Sequence, residues 1–398
     1  MPPQLDSGSP AAILNPVATR VRVAVMQRRL THYRLPLFES LRTQLAGHGI
    51  ELSLLVGRGT PAEEMKNDAG DLAWANPVPT RYWRDGRLCW QSVGHHLDGI
   101  DLLIVPQENK LLQNHLLMLK PRRFKLAFWG HGANLQSDNP DGFKERFKRW
   151  TTKRVDWWFA YTQMSAGLVA SAGFPGSRIT VLNNAVDTTE LLRQRQSISP
   201  EETQALRKSL GCDMGPVGVF VGSLYADKRL DFLFAAAEAI RREVPDFHLL
   251  IVGDGSERDK VWAWCDVNPW AHWVGARFGR EKAAYVSVAQ VMLNPGALGL
   301  GVMDAFVFQA PIVTTDCGNH GPEIAYLENG INGVMTPDDL NTYVEASVHL
   351  LRNAQALDAL RLGCVASAQE YTVENMARRF ADGVTSCLGV PRYTGWAR

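Results

Sequence analysis

No stretch of this 398-residue chain approaches the ~20 consecutive apolar residues that a bilayer-spanning helix needs. Cysteine is sparse: Cys89, Cys212, Cys265, Cys317, Cys364 and Cys387 show no paired spacing, which argues for reduced, packed thiols and against a disulfide framework or metal ligands. Neither sign of charge dominates, since 42 Lys+Arg face 41 Asp+Glu. With no recognisable binding module either, nucleic acid is not an expected partner. Up to Thr19 the chain is rich in Pro, Ser and Ala but lacks a basic start leading into an apolar core. We therefore expect a disordered tail over residues 1–19 and not a signal peptide.

What is present exceeds one hydrophobic core. Usage of 45% apolar and 21% charged residues over this length fits a two-domain soluble enzyme. Charge is unevenly placed, with 23 basic against 17 acidic residues up to Glu190 and 19 against 24 beyond it. The densest basic run is Lys144 to Arg154, KERFKRWTTKR. On a helix, Phe143, Phe147 and Trp150 share one face. Such a helix either buries its aromatics in the core with its charges solvated, or turns its basic face to an anionic membrane surface.

Apolar strand-like runs alternate with helical periodicity, which predicts parallel sheets with crossover helices. The first series has strands at Val21–Met26, Glu51–Val56, Leu102–Val105, Phe124–Trp129, Val155–Ala160 and Ile179–Val181; Leu37, Leu41 and Leu45 mark a helix between the first two. A second series has strands at Val217–Val221, His248–Val252 and Trp273–Val274, with helices Asp231–Glu243 and Arg258–Val267 between them. Two such series predict two doubly wound, Rossmann-like α/β domains joined near Asn184–Asp187.

The segment Asn294–Gly330 reads as a diphosphate site. Gly296, Ala297, Gly299, Gly301 and Ala305 bring backbone N–H groups close to anything above the loop, and a helix from about Val302 points its positive end the same way. Asp304, in its first turn, is placed to accept hydrogen bonds from a ribose. A packing turn would use the same glycines.

The whole segment resembles the donor-site signature of the retaining GT-B glycosyltransferases of family 4, in which two glutamates are separated by seven residues. Gly296 stands for the first and Asp304 for the second, followed by Ala305, Pro311-Ile312-Val313 and Gly321-Pro322-Glu323-Ile324. The resemblance implies that Asp304 holds the ribose, that Gly296, Ala297, Leu298, Gly299 and Leu300 surround the donor, and that the first acid's contact is lost or made elsewhere. Gly222-Ser223-Leu224 with Lys228 resembles the element that gives an Arg and a Lys to the diphosphate; Ser223 takes the Arg position, and Arg229 is a candidate replacement. Asn183-Asn184-Ala185-Val186-Asp187 resembles the turn at the domain join. Val252-Gly253-Asp254-Gly255 resembles the end of the second donor-domain strand, and Val274 ends the next strand.

In Trp129-Gly130-His131-Gly132 the flanking glycines expose His131 at the carboxyl end of a strand, where open α/β sheets bind ligands; the resemblance implies that it faces the donor sugar, with Asn134 and Gln136 beyond. The loop QRRLTHYR places Arg28, Arg29, Tyr33 and Arg34 at the corresponding end of the first strand, suited to a phosphate-bearing acceptor.

The implied organisation is an acceptor domain over 20–185, a nucleotide-sugar domain over 186–372, and a terminal helix within 373–398 returning to the first domain. The implied activity is transfer from a UDP-sugar, or next a GDP-sugar, to a glycan or lipid-linked acceptor in polysaccharide or glycolipid assembly at the cytoplasmic face of a membrane. His131, Lys228 and Glu323 are the candidate catalytic residues. The nucleotide sugar is a co-substrate, no cofactor is implied, and no metal is expected because the chain lacks the Asp-x-Asp pattern of metal-dependent transferases. The changes at Ser223, Gly296 and Asp304 leave one competing reading, a partner subunit that binds without transferring.

Overall fold

The computed structural model describes residues 20–65, 68–132 and 150–394. The residue 1–19 tail, Asn134, Gln136, Phe143, Phe147 and most of the basic run lie outside them. At the end of that run, Trp150 is 41% exposed beneath the guanidinium of Arg154, 4.3 Å from the ring centroid.

β-branched and Leu-rich runs with no polar alternation form strands covered on both faces, as parallel sheets require. The first sheet comprises β1 (Val21–Gln27), β2 (Ile50–Val56), β3 (Asn76–Pro77), β6 (Leu102–Pro106), β7 (Lys125–Gly130), β8 (Trp157–Ala160) and β9 (Ile179–Val181), in the order β3-β2-β1-β6-β7-β8-β9, all parallel. A separate antiparallel hairpin, β4 (Thr80–Trp83) with β5 (Leu88–Gln91), fills the crossover between β3 and β6. The second sheet is β10 (Val217–Val221), β11 (His248–Val252), β12 (Ala271–Trp273), β13 (Val291–Leu293), β14 (Ile312–Thr315) and β15 (Gly333–Thr336), ordered β12-β11-β10-β13-β14-β15. In both, the direction of winding reverses beside the first strand, between β1 and β6 and between β10 and β13. Such reversals open a crevice at the carboxyl ends of the strands, where ligands bind. The fold is α/β with two Rossmann-like sheets, as the alternation predicts. The short strands β3, β4, β5, β13 and β15 were not anticipated, because two- to four-residue runs carry too little periodicity to register.

The chain crosses between domains at Asn183–Asp187 and returns. The helix Val373–Gly389 turns Val373, Met376, Ala377, Phe380, Ala381 and Val384 inward, all buried, against the helix Leu35–Gly47 of the first domain. Its carboxyl end is capped by Lys125, whose Nζ donates to the carbonyls of Cys387 and Leu388, each at 2.7 Å. A cation there satisfies orphan carbonyls and opposes the helix dipole. All six cysteines are free thiols; Cys89, Cys212, Cys364 and Cys387 are buried.

Candidate active site

A cavity of about 400 Å³ sits at the β10/β13 reversal. Its floor is the loop after β13 and one wall is the turn after β10. The two are locked together in both directions: Ala297 N–H donates to the Asp227 carbonyl at 2.8 Å, and Lys228 Nζ donates to the Ala297 carbonyl. Lys228 is the one cationic side chain on the lining among the described residues. Burial lowers its pKa, and the charges of Asp227 and Cys317 offset this in part.

The backbone donors of the loop fall into two sets. Ala297 N–H is spent on Asp227, and Leu298 N–H is spent on Nδ1 of His320 at 3.1 Å. The N–H groups of Gly299, Leu300 and Gly301 have no protein acceptor among the described residues and precede the helix Val302–Phe308. Three successive free donors opposite an ammonium group form an anion site. Asp304 lines the same cavity, and its carboxylate accepts from Lys282 Nζ at 2.8 Å. Beyond Asp304 a second cavity of about 530 Å³ reaches across to the first domain, lined there by His32, Tyr33 and Pro36.

Across the junction, the first domain contributes an aromatic cluster around a half-buried cation. Arg34 lies over the Trp129 ring at 4.6 Å and donates to the hydroxyls of Tyr33 and Tyr161, each at 3.1 Å. Arg34 makes no ion pair among the described residues, and its charge pulls down the pKa of Glu323 in the second domain, against the burial that raises it. His131 follows directly on β7, with its ring 4.4 Å from that of Tyr161. Gly132 is required there, because it has φ +78° and a side chain would come 2.5 Å from Val169.

Two family models match the chain: "Glycosyltransferase Family 4" over residues 38–190 and "Glycosyl transferases group 1" over residues 215–353. The chain belongs to the GT-B glycosyltransferases of the group 1, family 4 type. A curated relative, alpha-D-kanosaminyltransferase of Streptomyces kanamyceticus, is 22% identical over 147 residues, a stretch that covers 33% of this chain and 35% of the relative. Among solved structures, Anabaena HepE in complex with UDP has a TM-score of 0.66 at 15% identity, over 92% of this chain and 100% of its own. Sucrose-phosphate synthase of Thermosynechococcus elongatus has a TM-score of 0.65 at 14% identity, covering 91% and 98%.

Within this glycosyltransferase the sequence-predicted site residues divide. Gly222, Lys228, Ala297, Leu298, Gly299, Leu300 and Asp304 line the cavity at the β10/β13 reversal. Gly296 lies beneath it, where a Cβ would stand 2.3 Å from the Asp227 carbonyl oxygen. Gly253 is a packing glycine and not a lining one: its Cβ would fall 1.8 Å from the Gly222 carbonyl oxygen, so its bareness lets β10 and β11 end side by side. Val274 is tied into the sheet by its N–H to the Ile251 carbonyl, and exposed Ser223 is not among the lining residues. Arg229 does not replace the missing guanidinium. It is turned away to Asp338, to the Thr315 hydroxyl at 3.1 Å and over the Phe232 ring.

Arg28 and Arg29 are likewise withdrawn from the acceptor role. Arg28 grips Glu63 with two hydrogen bonds of 2.6 and 2.7 Å and holds that carboxyl down at about 2; Arg29 grips Asp68 at 2.6 and 2.8 Å. A guanidinium already paired bidentately has little left for an incoming phosphate. Tyr33 and Arg34 remain at the junction. The sequence reading passed over Tyr161, Tyr225, Lys282 and His320; Tyr225 lines the cavity beside Lys228, and the other three are significant only through a partner far along the chain.

Glu323 is engaged at the domain join. It is 5% exposed, absent from the cavity lining, and accepts from Asn184 Nδ2 of the domain join at 2.7 Å. Burial raises its pKa, with Asn184 opposing. A raised carboxyl pKa favours the folded state at low pH, and that benefit is lost as pH rises through the unfolded and then the folded value. Glu323→Gln keeps an acceptor for Asn184 and removes the buried charge. It should melt no lower than the parent at pH 7.5, lose the acid-side gain in stability, and keep turnover within about tenfold. A loss of ~100-fold at unchanged stability, the scale of one transition-state donor, would return Glu323 to the chemistry.

Proposed function

We propose that this glycosyltransferase moves a sugar from a nucleotide diphosphate sugar, UDP-linked in preference to GDP-linked, to a glycan or lipid-linked acceptor, with retention of anomeric configuration and without metal. The observation that carries the reading is the pairing of Lys228 with the unpartnered N–H groups of Gly299, Leu300 and Gly301 on one cavity. That is what a leaving diphosphate requires where no metal neutralises it. Asp304 is the ribose acceptor, held by Lys282. UDP is favoured because relatives of the same fold, such as Anabaena HepE, were solved with UDP and with UDP-glucose.

In the front-side displacement typical of retaining members of the family, the acceptor oxygen bonds to the anomeric carbon on the face from which the diphosphate oxygen departs. The acceptor proton passes to that departing oxygen. The protein then contributes orientation and charge stabilisation. Lys228 and the loop N–H groups take the developing charge, while His131, Tyr33 and Arg34 stand on the acceptor side of the junction. No helix of the described residues is long and apolar enough to cross a membrane. A cytoplasmic protein resting on a membrane through Lys144–Arg154 fits a lipid-linked acceptor.

Calorimetric titration without metal against UDP, GDP, ADP, CMP and dTDP tests the reading. UDP should bind selectively, and Asp304→Ala should weaken it about tenfold, the scale of a hydrogen bond to a charged group. If none binds, the non-transferring partner reading displaces this one, and Ser223 and Gly296 are the observations in its favour.

A further inference from the structure

Two peptide segments of the donor domain meet on one imidazole. His320 Nε2 lies 2.7 Å from the Thr315 carbonyl at the end of β14, and its Nδ1 lies 3.1 Å from the Leu298 N–H in the donor loop. The next residue holds Leu298 at its other end, since Gly321 N–H donates to the Leu298 carbonyl at 2.7 Å. The tautomer follows from the partners. A carbonyl only accepts, so Nε2 carries the hydrogen; a backbone N–H only donates, so Nδ1 is bare.

We propose that His320 is the positioning residue of the donor loop: its neutral ring takes up the Leu298 N–H and thereby fixes the turn that presents the N–H groups of Gly299, Leu300 and Gly301 to the diphosphate. The proposal rests on the donor-site reading above and adds to it the group that sets the geometry of the site. His320 is not among the lining residues, so it acts through the Leu298 peptide. Leu298 and Leu300 anchor the loop by packing on the core, and the Leu298 N–H is the last donor before the free ones. Without His320, that N–H becomes a fourth unpartnered donor and the loop can rotate it toward the ligand.

The ring also makes the loop sensitive to acid. A proton on Nδ1 sets two donors face to face and breaks the Leu298 bond. Burial opposes that proton, but Cys317, whose sulfur is 3.4 Å from Nε2, the Thr315 carbonyl and Asp316 on the same segment outweigh it, so the His320 pKa is raised above its ordinary value. Facing them from the turn after β10 are Lys228 and Arg229, and Glu323 follows on the next turn. Donor affinity should therefore fall as pH drops through the His320 titration.

Two substitutions separate the halves of the ring. His320→Asn keeps an acceptor near the place of Nδ1, and His320→Gln keeps a donor near the place of Nε2. The expected result is that His320→Ala and His320→Gln raise the Kd for UDP and the donor KM about tenfold with kcat little changed. His320→Asn restores most of the affinity and removes its acid-side decline, at equal melting temperature across the set. Rescue by Gln and not by Asn would overturn the proposal and leave His320 as a brace of β14 alone. A second readout needs no nucleotide: long-range ¹H–¹⁵N spectra of the full chain should show the Nε2–H tautomer at pH values above the His320 titration, with the Leu298 amide shifting as Nδ1 is protonated. An Nδ1–H ring, or a Leu298 amide indifferent to that titration, would also overturn it. Absence of nucleoside diphosphate binding to the parent, with these spectra as expected, would instead remove the donor-site reading and leave the clamp standing.

Discussion

Replacing Lys228 with alanine should lower turnover by ~100-fold or more, the scale on which one charge-stabilising donor acts in a water-poor site. The size of the effect follows from how little else is there. Ser223 occupies the position where the family has an arginine, and Arg229 is committed to Asp338 and Thr315. Among the described residues no other cationic side chain lines the cavity. The three free N–H groups supply partial positive charge, but they cannot replace a full one when the diphosphate departs. Burial also depresses the Lys228 pKa below its ordinary value. The ammonium form is therefore lost at a lower pH than for a free lysine, and turnover should decline on the alkaline side as that proton leaves. Lys228→Arg, which stays charged, should flatten that decline even if its bulkier fork costs rate. Initial rates against donor concentration at several pH values measure both. Near-normal turnover in the alanine variant would contradict the assignment of this cavity to the diphosphate.

The parts of the site legible in sequence are those built from contiguous residues. The donor loop, its glycines and the helix after it lie within one short run, so their joint meaning survives without a fold. Lys228 was legible for the same reason, being seven residues past a strand end. What sequence could not show is which charges are already spent. Arg28, Arg29 and Arg34 look equivalent in QRRLTHYR, yet Glu63 and Asp68 neutralise the first two, while the third is left on phenols and an indole. The carboxylates that decide this lie more than 30 positions away, beyond a strand and a helix. Glu323 is a similar case. Its motif placed it beside the donor, correctly to within one layer, but only the pairing with Asn184, 139 residues earlier, shows that the carboxyl faces the domain join. His320 carried no signal at all, because its role needs the Leu298 backbone and not any neighbouring side chain.

Gly296 carries the last of these lessons and the second large effect. The family places a glutamate here, so restoring it by Gly296→Glu would be the natural attempt to raise activity; the structure predicts the reverse. A Cβ at this position would stand 2.3 Å from the Asp227 carbonyl oxygen, 2.5 Å from the Lys228 carbonyl carbon and 2.6 Å from its oxygen. All three are backbone atoms, so no side chain can swing aside. The turn after β10 must move, and with it the Ala297–Asp227 and Lys228–Ala297 bonds that hold the ammonium group over the cavity. Even Gly296→Ala should therefore cost about 1–3 kcal/mol of stability, as overpacking of a close backbone contact does, and should weaken UDP binding and turnover at least as severely as loss of Lys228. Gly296→Glu should do more damage, not less. Thermal unfolding with UDP titration of the two variants decides the matter. A stable Gly296→Glu protein with improved donor affinity would show that the loops part easily and that the vacant acid position can be refilled. The expected collapse of both would show that this chain holds, in place of the first acid, a closer lock between the loops after β10 and β13.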